Sequence, residues 1–345
     1  MYKITVNLSN LNPQEVYVVY ESADFKTVDT ILYKGSGSFV LTQKPDSLQL
    51  VTLYYDDFSR WIPIYLEQPG RIMVYGDAVF PQLAQVKGGR INELLSGFRK
   101  ETATLLKDYY TIYYGTDSIP ESLNKPNRIA RLANINHEIR IHAETFIQKN
   151  PSEKASAILI RDYFVDADHP LRTESLLADL KPELDDFYVV KDLKAFVAKA
   201  RSTLVGAKAP DFNVRNIYGE SFQINTFMNK YFLLAFTYMW NDQYHTGELH
   251  LDDIISIFPK DSLNVMLVTL DENPKELRDL SRRDPIRWNI VSDSIGQAIE
   301  LLDLYNVNVL PRCFLIDKEG HIILKTDNGV EVKQALEQLI KKTDK

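Results

Sequence analysis

Cysteine is the side chain best suited to redox or nucleophilic chemistry, and the sequence contains a single one, Cys313. One cysteine cannot form a disulfide within the chain, so its presence does not indicate a redox compartment. Cys313 lies two residues after Pro311, and apolar residues 314–316 follow it. Because no helix start is predicted there to lower the thiol pKa, we expect Cys313 to be a small buried side chain with a structural role.

Histidine and carboxylate side chains occur in two arrangements that resemble metal sites. His137 and His142 are one residue too far apart for a zinc-protease helix, which turns the second ring about 140° from the first. His245, Glu248 and Asp252 share a helical face, but such polar runs usually form a solvated surface. No glycine-rich phosphate loop and no G-x-S-x-G sequence occurs. The sequence therefore predicts neither a metal site, nor a cofactor, nor a hydrolase.

Two apolar segments of the C-terminal third are each followed by a change of pattern. Residues 232–236 have the length and composition of a buried strand, and a polar, helix-starting segment follows Trp240. Residues 314–316 form a second apolar run, which Asp317 ends, and Lys-Glu-Gly at 318–320 predicts a hairpin turn after it. A strand that leads into a helix, and a later hairpin preceded by Pro311, are therefore predicted.

These landmarks resemble, in the same order, thioredoxins of the TlpA/ResA type, which belong with the AhpC/TSA-related proteins. The resemblance extends from about residue 204 to residue 342. It includes Pro-Asp-Phe at 210–212, the spacing from Phe236 to Trp240, and Val-Leu-Pro at 309–311. Because several separate landmarks agree in order, the resemblance implies a thioredoxin-like fold for this part of the chain.

The positions of the two family cysteines are occupied by Asn241 and Tyr244, which flank Asp242 and Gln243. Thiol–disulfide exchange requires a thiolate, and in the family the first cysteine lies at a helix N-terminus that lowers its pKa. Asn241 cannot ionise, and Tyr244 cannot resolve a mixed disulfide. The resemblance therefore implies a scaffold that has lost its C-x-x-C motif and has no catalytic residue at these positions.

Pro311 corresponds to the proline that forms the second part of the family's active-site face. In the family, a cis bond before this proline keeps the preceding backbone extended, and a bound peptide strand pairs with it. The resemblance implies the same bond between Leu310 and Pro311. It also implies a polypeptide-binding face that comprises Trp240, residues 241–244, Leu310 and Pro311.

Composition limits the classes of partner that the chain can bind. Its 345 residues are 45% hydrophobic and 25% charged, as in ordinary globular proteins, and this length predicts two or three domains. The formal net charge of −7 argues against nucleic acid or an anionic membrane surface as a partner. No segment approaches the roughly 20 apolar residues that cross a bilayer. Residues 2–8 alternate as a strand does and do not resemble a signal peptide.

Hydrophobic periodicity divides the sequence into three regions. Residues 1–90 contain seven short alternating runs separated by turns, which predicts an antiparallel β-sandwich or barrel. This region also resembles the domain of unknown function that commonly precedes envelope thioredoxin-like domains. Residues 91–203 have helical spacing and are predicted to form a connector of three to five helices. Residues 204–345 alternate strands and helices, which predicts a mixed sheet flanked by helices.

The residues and the resemblance together favour a redox-inactive thioredoxin-like protein that binds a polypeptide partner. Relatives of this architecture imply a location in the periplasm or cell envelope, with tethering as a lipoprotein. One alternative is a thiol:disulfide oxidoreductase, or a one-cysteine peroxidase, that acts through Cys313 or a partner's thiols. The other is ligand binding by the β region, indicated only by Tyr54, Tyr55, Phe58 and Trp61. The sequence predicts neither the identity of the partner nor the oligomeric state.

Overall fold

The structure is a computed structural model that describes residues 2–21, 26–34, 39–43, 49–67, 70–115, 125–227, 229–237, 262–281 and 289–343. The chain divides into two compact units. The first unit comprises Met1–Val165 and Arg172–Leu193, and the second comprises Asp166–Leu171 and Lys194–Lys345. The chain therefore enters the second unit briefly, returns to the first, and then completes the second.

The first unit contains two four-stranded sheets, with strand orders β4-β1-β7-β8 and β3-β2-β5-β6. The strands are β1 (Tyr2–Ser9), β2 (Gln14–Glu21), β3 (Lys26–Tyr33), β4 (Phe39–Gln43), β5 (Gln49–Tyr55), β6 (Arg60–Leu66), β7 (Arg71–Asp77) and β8 (Gln85–Lys87). The first seven correspond to the seven predicted runs. Neighbouring strands are antiparallel, except that β1 and β7 are parallel. A parallel pair needs a long connection, which local sequence patterns do not reveal.

Alternating side chains from both sheets meet in one core, as in a β-sandwich. On β5, Val51 and Leu53 point into this core, and Ile62 and Ile64 do so from β6. The residues between them face the other side of the sheet, because successive side chains of a strand alternate. This outer face is partly covered, since its Leu50 and Tyr65 belong to a second core that the helices build.

Six α-helices lie between β8 and residue 201 in the described chain. They are α1 (Arg90–Glu101), α2 (Ala103–Tyr113), α3 (Lys125–Lys149), α4 (Lys154–Phe164), α5 (Pro170–Asp179) and α6 (Tyr188–Arg201), with short 3-10 helices at Pro81–Leu83 and Pro182–Leu184. The prediction of three to five was too low. One reason is that α1 and α2 are separated only by Thr102, whose hydroxyl donates to the Phe98 carbonyl oxygen at 2.8 Å. One apolar stripe continues across both helices, so the pattern indicates a single helix.

The second unit contains a five-stranded mixed sheet with the order β13-β12-β11-β14-β15. Its elements are β9 (Asn213–Arg215), β10 (Ser221–Gln223), a 3-10 helix (Ile224–Phe227), β11 (Tyr231–Thr237), β12 (Leu263–Thr269), α7 (Pro274–Ser281), β13 (Asn289–Val291), α8 (Gln297–Leu304), β14 (Arg312–Ile316), β15 (Ile322–Thr326) and α9 (Gly329–Thr343). Strands β11, β12 and β13 are parallel, whereas β14 and β15 are antiparallel to their neighbours. The predicted mixed sheet and the final hairpin are confirmed.

Strand β11 is covered on both faces, which explains why its sequence is a continuous apolar run. Phe232 and Phe236 belong to one core, together with the fully buried Tyr305, whose hydroxyl donates to the Pro210 carbonyl oxygen at 2.8 Å. Leu233 and its neighbours on the same face belong to a separate core on the opposite side of the sheet. The central strand is therefore fixed from both sides.

Candidate functional site

Leu310 and Pro311 lie at the end of the sheet where β11 terminates, which is called the sheet edge below. The bond between them is cis, as the resemblance implied. Arg312, the first residue of β14, lies opposite Phe236 in the antiparallel pair, so Pro311 is next to the last residue of β11, Thr237. Residues 240–244 follow Thr237 in sequence and lie outside the described residues. Of the predicted polypeptide-binding face, the structure therefore describes Leu310 and Pro311.

The backbone that precedes the cis bond has hydrogen-bonding groups that are unpaired among the described residues. Val309 is 59% exposed, whereas Leu310 is half-buried and packs against the core. Among the described residues, no hydrogen bond engages the N–H or C=O groups of Val309 and Leu310. An extended peptide could pair with such groups in the same way as an added strand.

A second exposed apolar side chain, Ile295, lies at the same edge of the sheet. It follows β13, which runs parallel to β11, and it is 71% exposed. Its loop is fixed by the Asp293 N–H, which donates to the Asp271 carbonyl oxygen at 3.0 Å, and by the Asp293 carboxylate, which accepts from Ile299 N–H at 3.1 Å. Strands β13 and β14 are three steps apart in the sheet, which places their ends about 14 Å from each other. The edge is therefore long enough for a short extended segment.

Cys313 is buried in the sheet and has no access to solvent. It lies opposite Ala235 of β11, and its side chain packs with Leu233 and Leu315. Burial raises the pKa of the Cys313 thiol to about 12, although the neighbouring Arg312 acts in the opposite direction. The thiol is therefore protonated near neutral pH, as expected for a structural cysteine.

An ionic cluster, formed by Arg312, Asp168 and Lys325, lies directly after the cis bond. Lys325 Nζ is 2.8 Å from Asp168 Oδ1 and donates to the Ala167 carbonyl oxygen at 3.0 Å, and Arg312 Nη2 is 3.2 Å from Asp168 Oδ2. Both cationic side chains are nearly buried, with 13% exposed for Arg312 and 6% for Lys325. Burial acts to raise the pKa of the Asp168 carboxyl, but the two cations lower it below its usual value overall. Sequence reasoning missed this cluster because its members are far apart in the chain.

The histidine and carboxylate arrangements show no metal site where the structure describes them. His142 Nδ1 is 3.6 Å from Glu101 Oε1, and both side chains are exposed. Across the described residues, no group of three or more potential ligands could hold a metal ion. His245, Glu248 and Asp252 lie outside those residues. No helix in the described part of the chain is both long and apolar enough to cross a membrane.

The four aromatic residues singled out in the β region have different environments. Tyr55 belongs to the sandwich core, and its hydroxyl donates to the Ala78 carbonyl oxygen at 3.0 Å. Phe58 is 50% exposed and stacks on Tyr17, with ring centroids 4.5 Å apart. Tyr54 and Trp61 line a cavity within the first unit. Only these last two could contact a small ligand in that cavity.

Two family models match the chain. Residues 205–325 match the AhpC/TSA family, and residues 2–95 match a domain of unknown function, DUF4369. Among curated proteins, the thiol-disulfide oxidoreductase ResA of Geobacillus thermodenitrificans is 26% identical over 147 residues, which are 42% of this chain and 83% of that protein. The ResA of Bacillus cereus (strain ATCC 10987) is 23% identical over 149 residues, which are 43% of this chain and 84% of that protein.

Two of the solved structures that are similar to parts of this chain come from Bacteroides species. A thioredoxin-like protein from Bacteroides caccae is 20% identical and matches with a TM-score of 0.43, over 64% of this chain and 86% of that one. A thiol-disulfide oxidoreductase from Bacteroides fragilis is 22% identical and matches with a TM-score of 0.32, over 38% of this chain and 98% of that one.

Proposed function

We propose that this chain, which carries a thioredoxin-like domain of the AhpC/TSA family in residues 205–325, binds an extended polypeptide without carrying out thiol–disulfide exchange. The binding surface is the sheet edge that contains Ile295, Val309, Leu310 and Pro311. One observation carries the proposal: the backbone groups of Val309 and Leu310 are unpaired among the described residues, while the single cysteine of the sequence is buried. The geometry that suits peptide binding is thus present without an accessible thiol.

Both polar and apolar contacts would stabilise such a complex. The N–H and C=O groups of Val309 and Leu310 can pair with a peptide backbone, which contributes affinity without sequence specificity. Val309 and Ile295 are more than half exposed, and covering them would contribute about 1–2 kcal/mol each. The side chains of the peptide that face these two residues are therefore expected to be apolar.

The oxidoreductase alternative would require a thiolate from Cys313. That side chain is buried in a central strand, and its pKa of about 12 leaves very little thiolate near neutral pH. Exchange through Cys313 would also require the buried side chains that share its core, among them Val332 and Leu336 of α9, to move away. Thiol–disulfide exchange between thiols of the partner itself is compatible with the binding proposal, because this chain would then only hold the partner.

Peptide display tests the binding surface directly. Extended peptides selected on the full chain are expected to bind Val309→Asp about tenfold more weakly in fluorescence anisotropy, since the charge cannot be buried against an apolar peptide. Val205→Asp is the matched control, because Val205 is 60% exposed and precedes Gly206, whose N–H donates to the Ile322 carbonyl oxygen at the opposite edge of the sheet. It is expected to bind normally. Failure to select any peptide, or equal binding by both variants, would contradict the proposal.

Insulin reduction with dithiothreitol tests the redox part. The purified protein is expected not to exceed the uncatalysed rate, because it lacks an accessible nucleophile. Turnover that disappears in Cys313→Ser would favour the oxidoreductase alternative instead. Turnover that persists in this variant would indicate a contaminating enzyme.

The proposal includes a location in the cell envelope. The resemblance to envelope proteins and the similarity to oxidoreductases such as ResA support it. Fractionation of cells that produce the protein from its native gene would test it. Recovery in the cytoplasmic fraction alone would contradict this part without affecting the binding proposal.

A further inference from the structure

A cavity of about 350 Å³ lies on the outer face of the β3-β2-β5-β6 sheet, between the sheet and the helices of the first unit. Tyr54 and Trp61 are direct cross-strand partners, as are Thr52 and Pro63, and all four line it. The other end of this face is filled, because Tyr65 is buried in the helical core, and its cross-strand partner Leu50 forms the boundary of the cavity. The cavity is therefore the part of the outer sheet face that the helices leave uncovered.

Two arginines line this cavity, and their partners differ. Arg161 lies 2.8 Å from Asp162 and donates to the Tyr65 hydroxyl at 3.0 Å. Arg99, on α1, donates only to the Ala84 carbonyl oxygen, at 3.2 Å, and forms no ion pair with a described carboxylate. Burial lowers the pKa of Arg99, although its side chain remains partly accessible from the cavity. A guanidinium has five donors and stays charged, so most of the donor capacity of Arg99 is available to an anion.

The cavity also contains an acceptor without a donor. The Gln82 side chain donates through Nε2 to the Tyr114 hydroxyl at 2.7 Å, while its Oε1 is buried without a hydrogen-bond partner among the described residues. Tyr110 and Tyr163 supply two more rings to the wall, and burial raises the pKa of both phenols. Their hydroxyls therefore remain neutral and can donate or accept.

We propose that this cavity binds a small organic acid that has one ring and at least one hydroxyl group. The carboxylate pairs with Arg99, a hydroxyl donates to Gln82 Oε1, and the flat face of the ring packs against Trp61 and Tyr54. The volume is at the lower end of ligand pockets, which suits a single ring. A sugar acid and a hydroxylated aromatic acid share this chemistry, because both present a carboxylate, a hydroxyl and a flat apolar face.

The charges around the cavity favour a singly charged ligand. Glu21 and Asp162 are also part of its wall, so the two arginines do not create a strongly positive site. A doubly charged phosphate would be repelled by these carboxylates, whereas one carboxylate can pair with Arg99 alone. A neutral sugar would displace water from Arg99 without supplying a counter-charge.

Titration calorimetry on the full chain tests the proposal with four probes: glucuronate, 4-hydroxybenzoate, glucose and inorganic phosphate. At least one of the two acids is expected to bind with a Kd of about 1 mM or tighter. Glucose and phosphate are expected to bind at least about tenfold more weakly than that acid. The acid that binds more tightly identifies the ligand as a sugar acid or as an aromatic acid.

Two variants, each with a matched control, assign the binding to this cavity. Arg99→Gln is expected to weaken binding of the acid at least about tenfold, whereas Arg172→Gln, which changes an exposed arginine paired with Glu144, leaves it unchanged. Trp61→Ala is expected to weaken it about threefold or more, whereas Phe58→Ala leaves it unchanged, since Phe58 is similarly exposed but does not line the cavity.

Three results would overturn the proposal. They are the absence of binding by either acid, binding of glucose as tight as that of the acid, and equal affinity in the wild type and Arg99→Gln. Circular dichroism and thermal melting establish whether Arg99→Gln folds. If it does not fold, Trp61→Ala decides, because Trp61 is 41% exposed at the rim and its loss does not leave a buried void.

Discussion

Chemical labelling of Cys313 should be at least about 1,000-fold slower in the folded protein than in the denatured protein at about pH 8. The thiolate is the form that reacts with Ellman's reagent, so the rate follows the ionised fraction. That fraction is about 0.1 at pH 8 for a thiol with the ordinary pKa of 9.0, and about 0.0001 for a pKa of about 12. Burial also blocks access, so this ratio is a lower limit.

The assay compares the release of thionitrobenzoate with and without guanidinium chloride. Val309→Cys in a Cys313→Ala background is the matched control, because position 309 is 59% exposed and lies just before the same strand. Its thiol is expected to react at the same rate in the folded and denatured protein. If native Cys313 reacts within about tenfold of this control, then the thiol is neither buried nor protonated, and the argument against a redox role fails.

Two further predictions concern the ionic cluster and the family motif. Asp168→Asn is expected to lower the free energy of unfolding by about 2 kcal/mol in urea denaturation, less than for a fully buried pair because Asp168 is partly exposed. The pKa of Asp168 is lower in the folded state, so its contribution is present above about pH 4 and is lost as the pH falls through the folded-state pKa. The difference between wild type and variant should therefore shrink in acid, and a constant difference would contradict this assignment. Asn241→Cys with Tyr244→Cys is expected to form an internal disulfide, measured by thiol counting, since the family positions allow the required Cα separation of roughly 4.4–6.8 Å. A folded double variant with two free thiols at these positions would show that the inferred alignment is wrong.

Local patterns were sufficient for the first seven strands, for the five-stranded sheet and for the final hairpin, but not for the short strand β8. The run 232–236 is apolar throughout because β11 is buried on both faces, and its length distinguishes it from a helix. The same reasoning failed at Thr102, where the backbone leaves helical geometry for one residue without a change in hydrophobic spacing. It also missed the parallel pairing of β1 with β7, because the local sequence of a strand does not predict a pairing partner that is distant in the chain.

The candidate sites were predictable only where a resemblance supplied the context. The cis bond at Pro311 followed from the family pattern, whereas the single Asp168 that pairs with Arg312 and Lys325 had no recognisable motif around it. The cavity was indicated only by the density of aromatic residues. Arg99, the cation proposed to pair with the ligand, lies on α1, whose sequence pattern indicates only an amphipathic helix. Hydrophobic periodicity does not predict which side chains tertiary packing brings into contact.

Asp166–Leu171 belongs to the second unit, although the residues on either side of it belong to the first. The two units therefore cannot be separated by cutting the chain at one position. The family match begins at residue 205, yet the carboxylate that pairs with Arg312 and Lys325 belongs to Asp168. A gene fusion or recombination event that transferred only the matched segment would carry two cations without their counterion. A transferred segment that keeps this ionic cluster intact therefore has to include Asp168, well before the start of the family match.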